Sequence, residues 1–300
     1  MPTTVVNANT GIANNAALLG NGLGGVRYEE IPIGIGTTAP AATQTALVSE
    51  IVSGGGERKT GASVSISLVT DSVTNDTILF NTAWGFLASF AVCEFAVCTN
   101  EAGPGTMWFR GRFETSGGAA APINVQSGDT LEAFIYVKAT DESADAFKRI
   151  PTAGLEEMNR LLVEDVSPSG TRISDIALGE DNGTLLPLAA SNTGLGDEFV
   201  IADGKGLARS QKISGPTVSL ATVNVPNDTT VVTEQWEVVA DNSQVDVKEM
   251  MLTNSPTQLT GKCFFRHLFT NGTLTLFGKN TAFSLSRGGR LTMIARLTNK

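Results

Sequence analysis

His267 is the only histidine in the chain, and it bears on chemistry because a serine or cysteine hydrolase usually needs a histidine base. It lies within residues 263–269, where the alternation of a strand would place its side chain with apolar neighbours such as Cys263 and Phe265. No acidic residue lies near it in sequence to orient the ring. We therefore interpret His267 as a core or interface residue.

The three cysteines, Cys93, Cys98 and Cys263, supply neither a disulfide framework nor a metal site. On one strand, the spacing of Cys93 and Cys98 would point their side chains to opposite faces. A zinc site needs three or four suitably spaced histidine, cysteine or acidic ligands. The glycine-rich residues 22–25 lack the Lys-Ser/Thr ending of a phosphate-binding loop. The sequence predicts small buried cysteines, no metal and no cofactor.

Paired carboxylates could hydrolyse a glycosidic bond, and Glu94, Glu101 and Glu249 lie near predicted strands. Sugar clefts usually offer stacking aromatic side chains, whereas the chain holds 3 tryptophans and 2 tyrosines. Trp84 and Trp236 fall at matching places in the two halves of the chain, which favours a shared core position. We therefore expect a protein that is not an enzyme.

The charge of the chain limits its partners. Its net charge is −9 and no lysine or arginine cluster is present, so we expect no nucleic-acid partner. Charged residues make up 17%, below the roughly 25% of a typical soluble protein, which suits a surface covered by other subunits. No apolar run reaches the about 20 residues of a membrane helix, and residues 1–7 do not look like a signal peptide. We expect no membrane partner, and a protein that is made and kept in the cytosol or released by a route other than ordinary secretion.

The second half of the sequence repeats the first. Residues 15–36 match residues 158–179 at an offset of about 143, which aligns a Leu-Leu pair, an isoleucine and a final glycine. The offset grows to about 160 near the end of the chain, as loop insertions between retained strands would produce. We predict a tandem duplication, with modules at residues 1–142 and 143–300. The later anchors are residues 73–77 with 225–229, Trp84 with Trp236, residues 99–100 with 253–254, and residues 107–110 with 263–266.

Short alternating segments separated by turns dominate both halves. Period-2 alternation is clear at residues 63–68 and 131–138, and again at 245–249 and 291–297. With the glycine-rich turns between them, this predicts roughly six to eight short strands per half, typical of a β-sandwich or jelly roll. The predicted fold class is mainly β, as two tandem duplicated jelly-roll-like modules.

A short helix is expected ahead of the strands in each half. The first lies around residues 12–19. The second lies at 154–164, where Leu155, Met158 and Leu161 recur at helical spacing, and Pro151 stands where a helix would begin. The polar, acidic residues 141–145 are typical of a linker.

Residues 108–113 alternate arginine with aromatic side chains. A strand with one solvated basic face would explain the pattern. An interface strand is the alternative, because arginine and aromatic residues are enriched in subunit contacts. The candidate interface residues are Trp108, Arg110 and Arg112, with Phe265 and Arg266 in the matching segment of the second half.

Residues 16–19 (Ala-Ala-Leu-Leu) and 33–50 (Ile-Gly-Ile-Gly-Thr-Thr-Ala-Pro-Ala-Ala-Thr-Gln-Thr-Ala-Leu-Val-Ser-Glu) resemble a recurrent segment of tailed-bacteriophage virion proteins. In that family a short helix precedes a strand, a Gly-Thr-Thr-Ala-Pro turn and a Thr-Ala-Leu-x-x-Glu stretch. Residues 123–131 are similar to the closing strands of the family. The second half keeps the glycine but replaces the turn with residues 180–184.

The resemblance implies a non-enzymatic virion structural protein, tail-associated or decorating the capsid, assembled in the host cytoplasm and located in the virion. Its expected partners are other copies of itself and other virion proteins, with a host surface glycan as a further candidate. Two alternatives stay open: a receptor- or carbohydrate-binding module on the virion, and a major capsid protein built as a double jelly roll. The resemblance implies no catalytic residues.

Overall fold

The computed structural model describes residues 3–20, 22–72, 74–99, 105–139, 148–150, 152–163, 172–179, 210–238, 245–247, 249–254, 263–268, 283–285 and 290–299. These residues form nineteen β-strands, two α-helices and one short 3₁₀ helix. The predicted mainly-β class is confirmed. The predicted linker at residues 141–145 lies outside the described residues.

The strands of the first half form two sheets and a ribbon. One sheet has the order β1-β8-β7-β2, with β3 also pairing β7; the other has the order β10-β5-β4, and β6 pairs β9. All of these pairings are antiparallel. The elements are β1 (Thr3–Asn7), α1 (Asn9–Leu19), β2 (Tyr28–Glu30), β3 (Ile33–Gly34), a 3₁₀ helix (Gly61–Ser63), β4 (Ser65–Val69), β5 (Thr77–Gly85), β6 (Phe90–Val92), β7 (Glu94–Thr99), β8 (Met107–Phe113), β9 (Ile123–Val125) and β10 (Thr130–Lys138).

The strands of the second half pair in a matching order. The sheets are β11-β17-β16-β12 and β13-β14-β19, and β15 pairs β18. The first of these sheets corresponds to the sheet of β1, β8 and β7, and the second corresponds to the sheet of β4, β5 and β10. The β15–β18 pair corresponds to the β6–β9 pair. The elements are β11 (Lys148–Arg149), α2 (Thr152–Val163), β12 (Asp175–Gly179), β13 (Ser210–Ala221), β14 (Thr229–Val238), β15 (Val245–Val247), β16 (Glu249–Thr253), β17 (Cys263–Leu268), β18 (Phe283–Leu285) and β19 (Arg290–Thr298).

The two sheets of the first half share one apolar core. Ile78, Phe80 and Trp84 from β5 belong to the same buried cluster as Val97 from β7 and Phe109 from β8. Strand alternation explains this, because every second residue of β5 points to the same side. Burial of these large side chains supplies most of the driving force for packing the sheets.

Trp84 occupies a core position, as the sequence predicts. Its side chain is fully buried, and its indole N–H donates to the carbonyl of Glu57 at 3.0 Å. Trp84 lies opposite Leu131 in the β5–β10 pairing, and Trp236 lies opposite Leu291 in the β14–β19 pairing. The two tryptophans therefore have the same backbone register in their sheets.

Helix α1 buries its small and apolar residues against neighbouring elements. It packs against β8, α2 and β14, and Ala16, Ala17 and Leu18 are buried. Gly11 gives it the closest approach: a Cβ atom there would lie 2.5 Å from Trp108 Cα and 2.6 Å from the Met107 carbonyl oxygen. The helix can therefore lie directly on the backbone of β8.

Each helix also contacts the other half of the chain. Helix α1 packs on β14, and α2 packs on β4 and β2. The Thr230 hydroxyl donates to the Ala16 carbonyl at 2.8 Å, and the Asn159 side chain donates to the Asn75 carbonyl at 2.9 Å. Both helices thus join the two halves of the chain. The internal repeat in the sequence did not predict this arrangement.

The shared Asn-Asp-Thr motif forms the same turn in both halves. Asn75 and Asn227 have φ values of 55° and 60°, a left-handed conformation that asparagine tolerates better than most residues. The next carboxylate, Asp76 or Asp228, accepts hydrogen bonds from backbone amides before the turn and from the threonine hydroxyl after it. The motif therefore serves the fold, because it satisfies amides that no strand pairs.

Replacing Asp228 with Asn should flatten the acid dependence of stability. Burial raises the pKa of Asp228, but hydrogen bonds from the Val225, Asn224 and Val223 amides outweigh it and lower the pKa to about 2, from 3.8. Because the folded pKa is depressed, the stabilisation is present above about pH 4 and is lost as the pH falls toward 2. At neutral pH the variant should lose about 1–3 kcal/mol of unfolding free energy.

Urea unfolding between pH 2 and pH 7 measures both effects. Asp129→Asn is the control, because Asp129 is an exposed turn residue with one hydrogen bond from the Gln126 amide. An Asp228→Asn variant whose stability falls as steeply as the wild type between pH 4 and pH 2 would contradict the expected role.

The cysteines described are buried and free of disulfides, as expected for Cys93 and Cys98. Burial raises the pKa of Cys98 to about 12, so its thiol stays protonated at neutral pH. The side chain of Cys263 lies outside the described part of the structure. Among the described helices, neither combines the length and apolar character needed to cross a membrane.

Candidate functional site

The segment that carries the family resemblance forms an exposed loop. Buried charged side chains lie beneath it. The loop comprises residues 37–48 and follows β3, whose Gly34 pairs with Glu94 of β7. It returns to the sheet at Ser49 and Glu50, where Glu50 forms a β-bridge with Gly34. The loop therefore leaves and rejoins the fold at one place.

Glu94 holds both ends of this loop. Its Oε1 accepts hydrogen bonds from the Gly36 amide at 3.0 Å and the Ser49 amide at 2.8 Å. Its Oε2 accepts from the Val48 amide at 3.1 Å. The carboxylate is fully buried, so it replaces water for three amides that no strand pairs. A Cβ atom on Gly34 would lie 2.6 Å from Glu94 Oε1, which explains the glycine there.

Arg110 compensates this buried charge. Its Nε and Nη2 lie 2.6 Å from Glu94 Oε2, and both side chains are 0% exposed. The guanidinium also donates to the Gln44 side-chain oxygen and the Thr38 carbonyl, each at 2.9 Å. One buried arginine thus joins the anchoring carboxylate to the far part of the loop, in the forked geometry that arginine provides.

Arg112 and Glu114 extend the cluster toward β1. Arg112 donates to the Thr37 carbonyl at 2.6 Å and to Glu114 Oε1. The Thr4 hydroxyl donates to Glu114 Oε2 at 2.6 Å. This hydrogen bond and that from Arg112 lower the pKa of Glu114. Two carboxylates and two guanidinium groups balance within the cluster.

A second ion-pair group fixes the end of the segment. Arg58 binds Glu50 through two parallel contacts at 3.0 and 2.8 Å, and reaches Glu30 of β2 at 2.8 Å. The hydrogen bonds to Glu50, followed by those to Glu30, raise the pKa of Arg58. Bidentate arginine–carboxylate pairs of this kind restrict orientation as well as distance.

The side chains on the outer surface of the loop are short and uncharged. Residues 37–48 contain no acidic or basic side chain. Within the loop, Gln44 closes a tight turn, since its side-chain oxygen accepts from the Ala41 amide at 2.8 Å. The result is a pre-shaped surface of short side chains, which suits contact with another protein because little side-chain entropy is lost on binding. The exposed members are Thr37, Thr38, Ala39, Ala41, Thr43, Thr45, Ala46 and Val48.

Two of the predicted interface residues of the first half, Arg110 and Arg112, lie beneath this loop, whereas Trp108 belongs to the main buried core cluster. Trp108, Arg110 and Arg112 are buried, at 6%, 0% and 8% exposure. The Trp108 ring stacks on Tyr28 with a centroid distance of 4.6 Å. A contact made at this place would therefore be made by the loop that the two arginines hold. The side chains of Phe265, Arg266 and His267 lie outside the described part of the structure.

The backbone register places a matching set of residue types in the second half. Both β7–β8 and β16–β17 carry an irregularity, between Val97 and Cys98 and between Leu252 and Thr253. Aligning the two irregularities places Glu249 at the position of Glu94 and Arg266 at that of Arg110. The β12–β16 pairing sets Gly179 opposite Glu249, which aligns Gly179 with Gly34 rather than with Gly36 as in the sequence comparison.

The buried position of Glu94 decides whether its carboxylate could take part in acid–base chemistry. A carboxylate that accepts three amides and an arginine, with no exposed surface, cannot reach a substrate without dismantling the loop. An acidic residue in an otherwise apolar strand is the sequence feature that could have indicated this buried ion pair. Among the described residues, no group of three or more histidine, cysteine or acidic side chains could hold a metal ion.

Comparisons of the chain with known protein families, with curated proteins and with solved structures gave no match.

Proposed function

We propose that this chain is a non-enzymatic structural protein of a tailed-bacteriophage virion, tail-associated or capsid-decorating, that assembles through protein–protein contacts. The observation that carries the proposal is the 37–48 loop. The segment that resembles phage virion proteins is also the segment that the fold presents as a fixed, uncharged surface. A buried charge cluster holds this loop in shape without contributing a reactive group.

We further propose that the chain consists of two tandem β-sandwich modules derived from one ancestral unit, each preceded by a helix. Three observations support this. The sheets of the two halves have the same pairing order. The turns at Asp76 and Asp228 use the same hydrogen bonds. Trp84 and Trp236 share one register.

Mass spectrometry of purified particles tests the virion assignment. The particles come from the phage whose genome encodes the chain. The expected result is the full-length chain at a fixed stoichiometry relative to the shell or tail proteins. Its absence from washed, infectious particles would overturn the assignment.

Replacing Thr43 with Arg should reduce incorporation into particles at least ten-fold while leaving the chain folded. Thr43 is exposed within the loop, so the substitution adds charge and length to the proposed contact surface without entering the core. Burying an unpaired arginine at the centre of a packed interface costs several kcal/mol. The measurement is the ratio of variant to wild type in particles assembled from a complemented deletion strain.

Ser127→Arg is the matched control, because Ser127 is exposed on a turn outside the loop. It should be incorporated normally. Equal incorporation of Thr43→Arg and the control would show that the loop is not a contact surface in the particle.

A further inference from the structure

The first half is open along one side. β1 and β10 are the outer strands of their respective sheets. Between them lies a groove of about 530 Å³ that reaches the core at residues such as Phe109 and Phe113. The groove therefore exposes apolar interior beside two strands whose outer backbone edges pair with no other described strand.

Strand β10 is apolar on both faces. Ala133, Ile135 and Val137 point toward the core and are only half-buried. On the opposite face, Phe134 and Tyr136 are 52% and 63% exposed. A long outer strand with apolar side chains on both faces is a ready site for addition of another strand, which proteins normally prevent with charges, bulges or a cover.

We propose that β10 pairs antiparallel with β10 of a second copy of this chain, about a two-fold axis at Ile135. Residues of the two strands then face each other when their numbers sum to 270. Glu132 lies opposite Lys138 of the second copy, and the symmetry repeats this contact. Both residues are on the outward face, so two opposite-charge pairs flank the strand pair.

The same register matches the apolar residues. Phe134 lies opposite Tyr136 of the second copy, an aromatic cross-strand pair. On the inner face Ile135 meets Ile135, and Ala133 meets Val137. The two three-stranded sheets become one six-stranded sheet, and the two grooves meet beneath it.

Neighbouring registers lose the charge match. Shifting the axis to Phe134 sets Glu132 opposite Tyr136, and shifting it to Tyr136 sets Phe134 opposite Lys138. Lys138 already binds Asp71 in the single chain, with 37% and 62% of the two side chains exposed. An exposed pair of this kind contributes little. Lys138 also lies 3.8 Å from the buried Asp76 carboxylate, so a carboxylate of the second copy would share this lysine with Asp76.

The second half lacks this self-complementary pattern. The shared tryptophan register aligns β19 with β10, and places Thr292, Ile294 and Arg296 at the positions of Glu132, Phe134 and Tyr136. Thr298 takes the position of Lys138. An equivalent pairing of β19 would set Thr292 opposite Thr298, with no ion pair. The proposed contact therefore belongs to the first half alone.

Charge exchange tests the pairing in the full chain. Sedimentation equilibrium should give the wild type a mass twice the 31.3 kDa of the chain. Glu132→Lys and Lys138→Glu should each weaken association at least about ten-fold, because each places like charges opposite one another twice. An equal mixture of the two variants should recover a dimer, since every facing pair is then of opposite sign.

Ser65→Lys is the control, because Ser65 is exposed on β4 at the far side of the same sheet; it should associate like the wild type. A wild type that stays monomeric at about 100 μM overturns the proposal. A dimer indifferent to both reversals overturns it too, as does a mixture that does not recover association.

A covalent test does not depend on the behaviour of Lys138. The two-fold axis brings position 135 of both copies together, so Ile135→Cys should form a disulfide-linked dimer under mild oxidation. Thr130→Cys should not, because position 130 would face residue 140 of the second copy. Equal cross-linking of the two variants, or none of Ile135→Cys, contradicts the register.

Discussion

Replacing Arg110 with Met is expected to lower the free energy of unfolding by about 3–5 kcal/mol. Methionine keeps much of the volume but leaves the Glu94 carboxylate buried without its positive partner. That carboxylate cannot turn to water, because both of its oxygens also accept loop amides. The measurement is denaturant unfolding at neutral pH, accompanied by limited proteolysis of the 37–48 loop, which should be cut sooner in the variant.

Two further variants separate charge from packing. Glu94→Gln combined with Arg110→Met removes both charges and should be more stable than Arg110→Met alone, because no buried charge is left unpaired. Asp71→Asn removes a partner from the exposed pair with Lys138 and should cost less than about 1 kcal/mol. An Arg110→Met variant within 1 kcal/mol of the wild type would show that the pair does not hold the loop.

Replacing Gly11 with Ala should lower the unfolding free energy by about 2–3 kcal/mol, although alanine is the better helix former by about 1 kcal/mol. The added methyl would meet Trp108 Cα at 2.5 Å and the Met107 and Trp108 carbonyl oxygens at 2.6 Å. These are backbone atoms of β8, so no side chain can rotate away, and the helix must lift from the sheet.

Thermal and urea unfolding of Gly11→Ala measures the cost. Gly117→Ala is the matched control, because its nearest atom would be Thr115 Oγ1 at 3.8 Å; it should change stability by less than about 0.5 kcal/mol. A stabilised Gly11→Ala variant would mean that helix propensity outweighs the close contact of α1 with β8.

The sequence predicted the elements well where their periodicity is strong. The second helix was expected at residues 154–164 and runs from Thr152 to Val163, because its leucines recur at helical spacing. The strand at 131–138 is β10 almost residue for residue. The repeated Asn-Asp-Thr motif indicated equivalent turns, since a left-handed asparagine and an amide-accepting aspartate leave few other arrangements.

The site was harder to predict because it depends on contacts between distant residues. The alternation of residues 108–113 places Arg110 and Arg112 on one face of a strand. That pattern predicts a face that is exposed to solvent or in contact with another subunit. The structure buries both beneath a loop that lies about seventy residues earlier. Residues 108–113 alone do not predict that a loop covers the two arginines. Only Glu94, an acidic residue within an apolar strand, indicates that a basic side chain is buried beside it.

The contacts that each helix makes with the other half also bear on how the chain should respond to force. In a string of independent domains, pulling on one end unfolds one domain while the next remains intact. Here α1 lies against β14 and α2 against β4, so separating the halves strips apolar cover from both cores at once. We therefore expect the two halves to yield together when the chain is stretched.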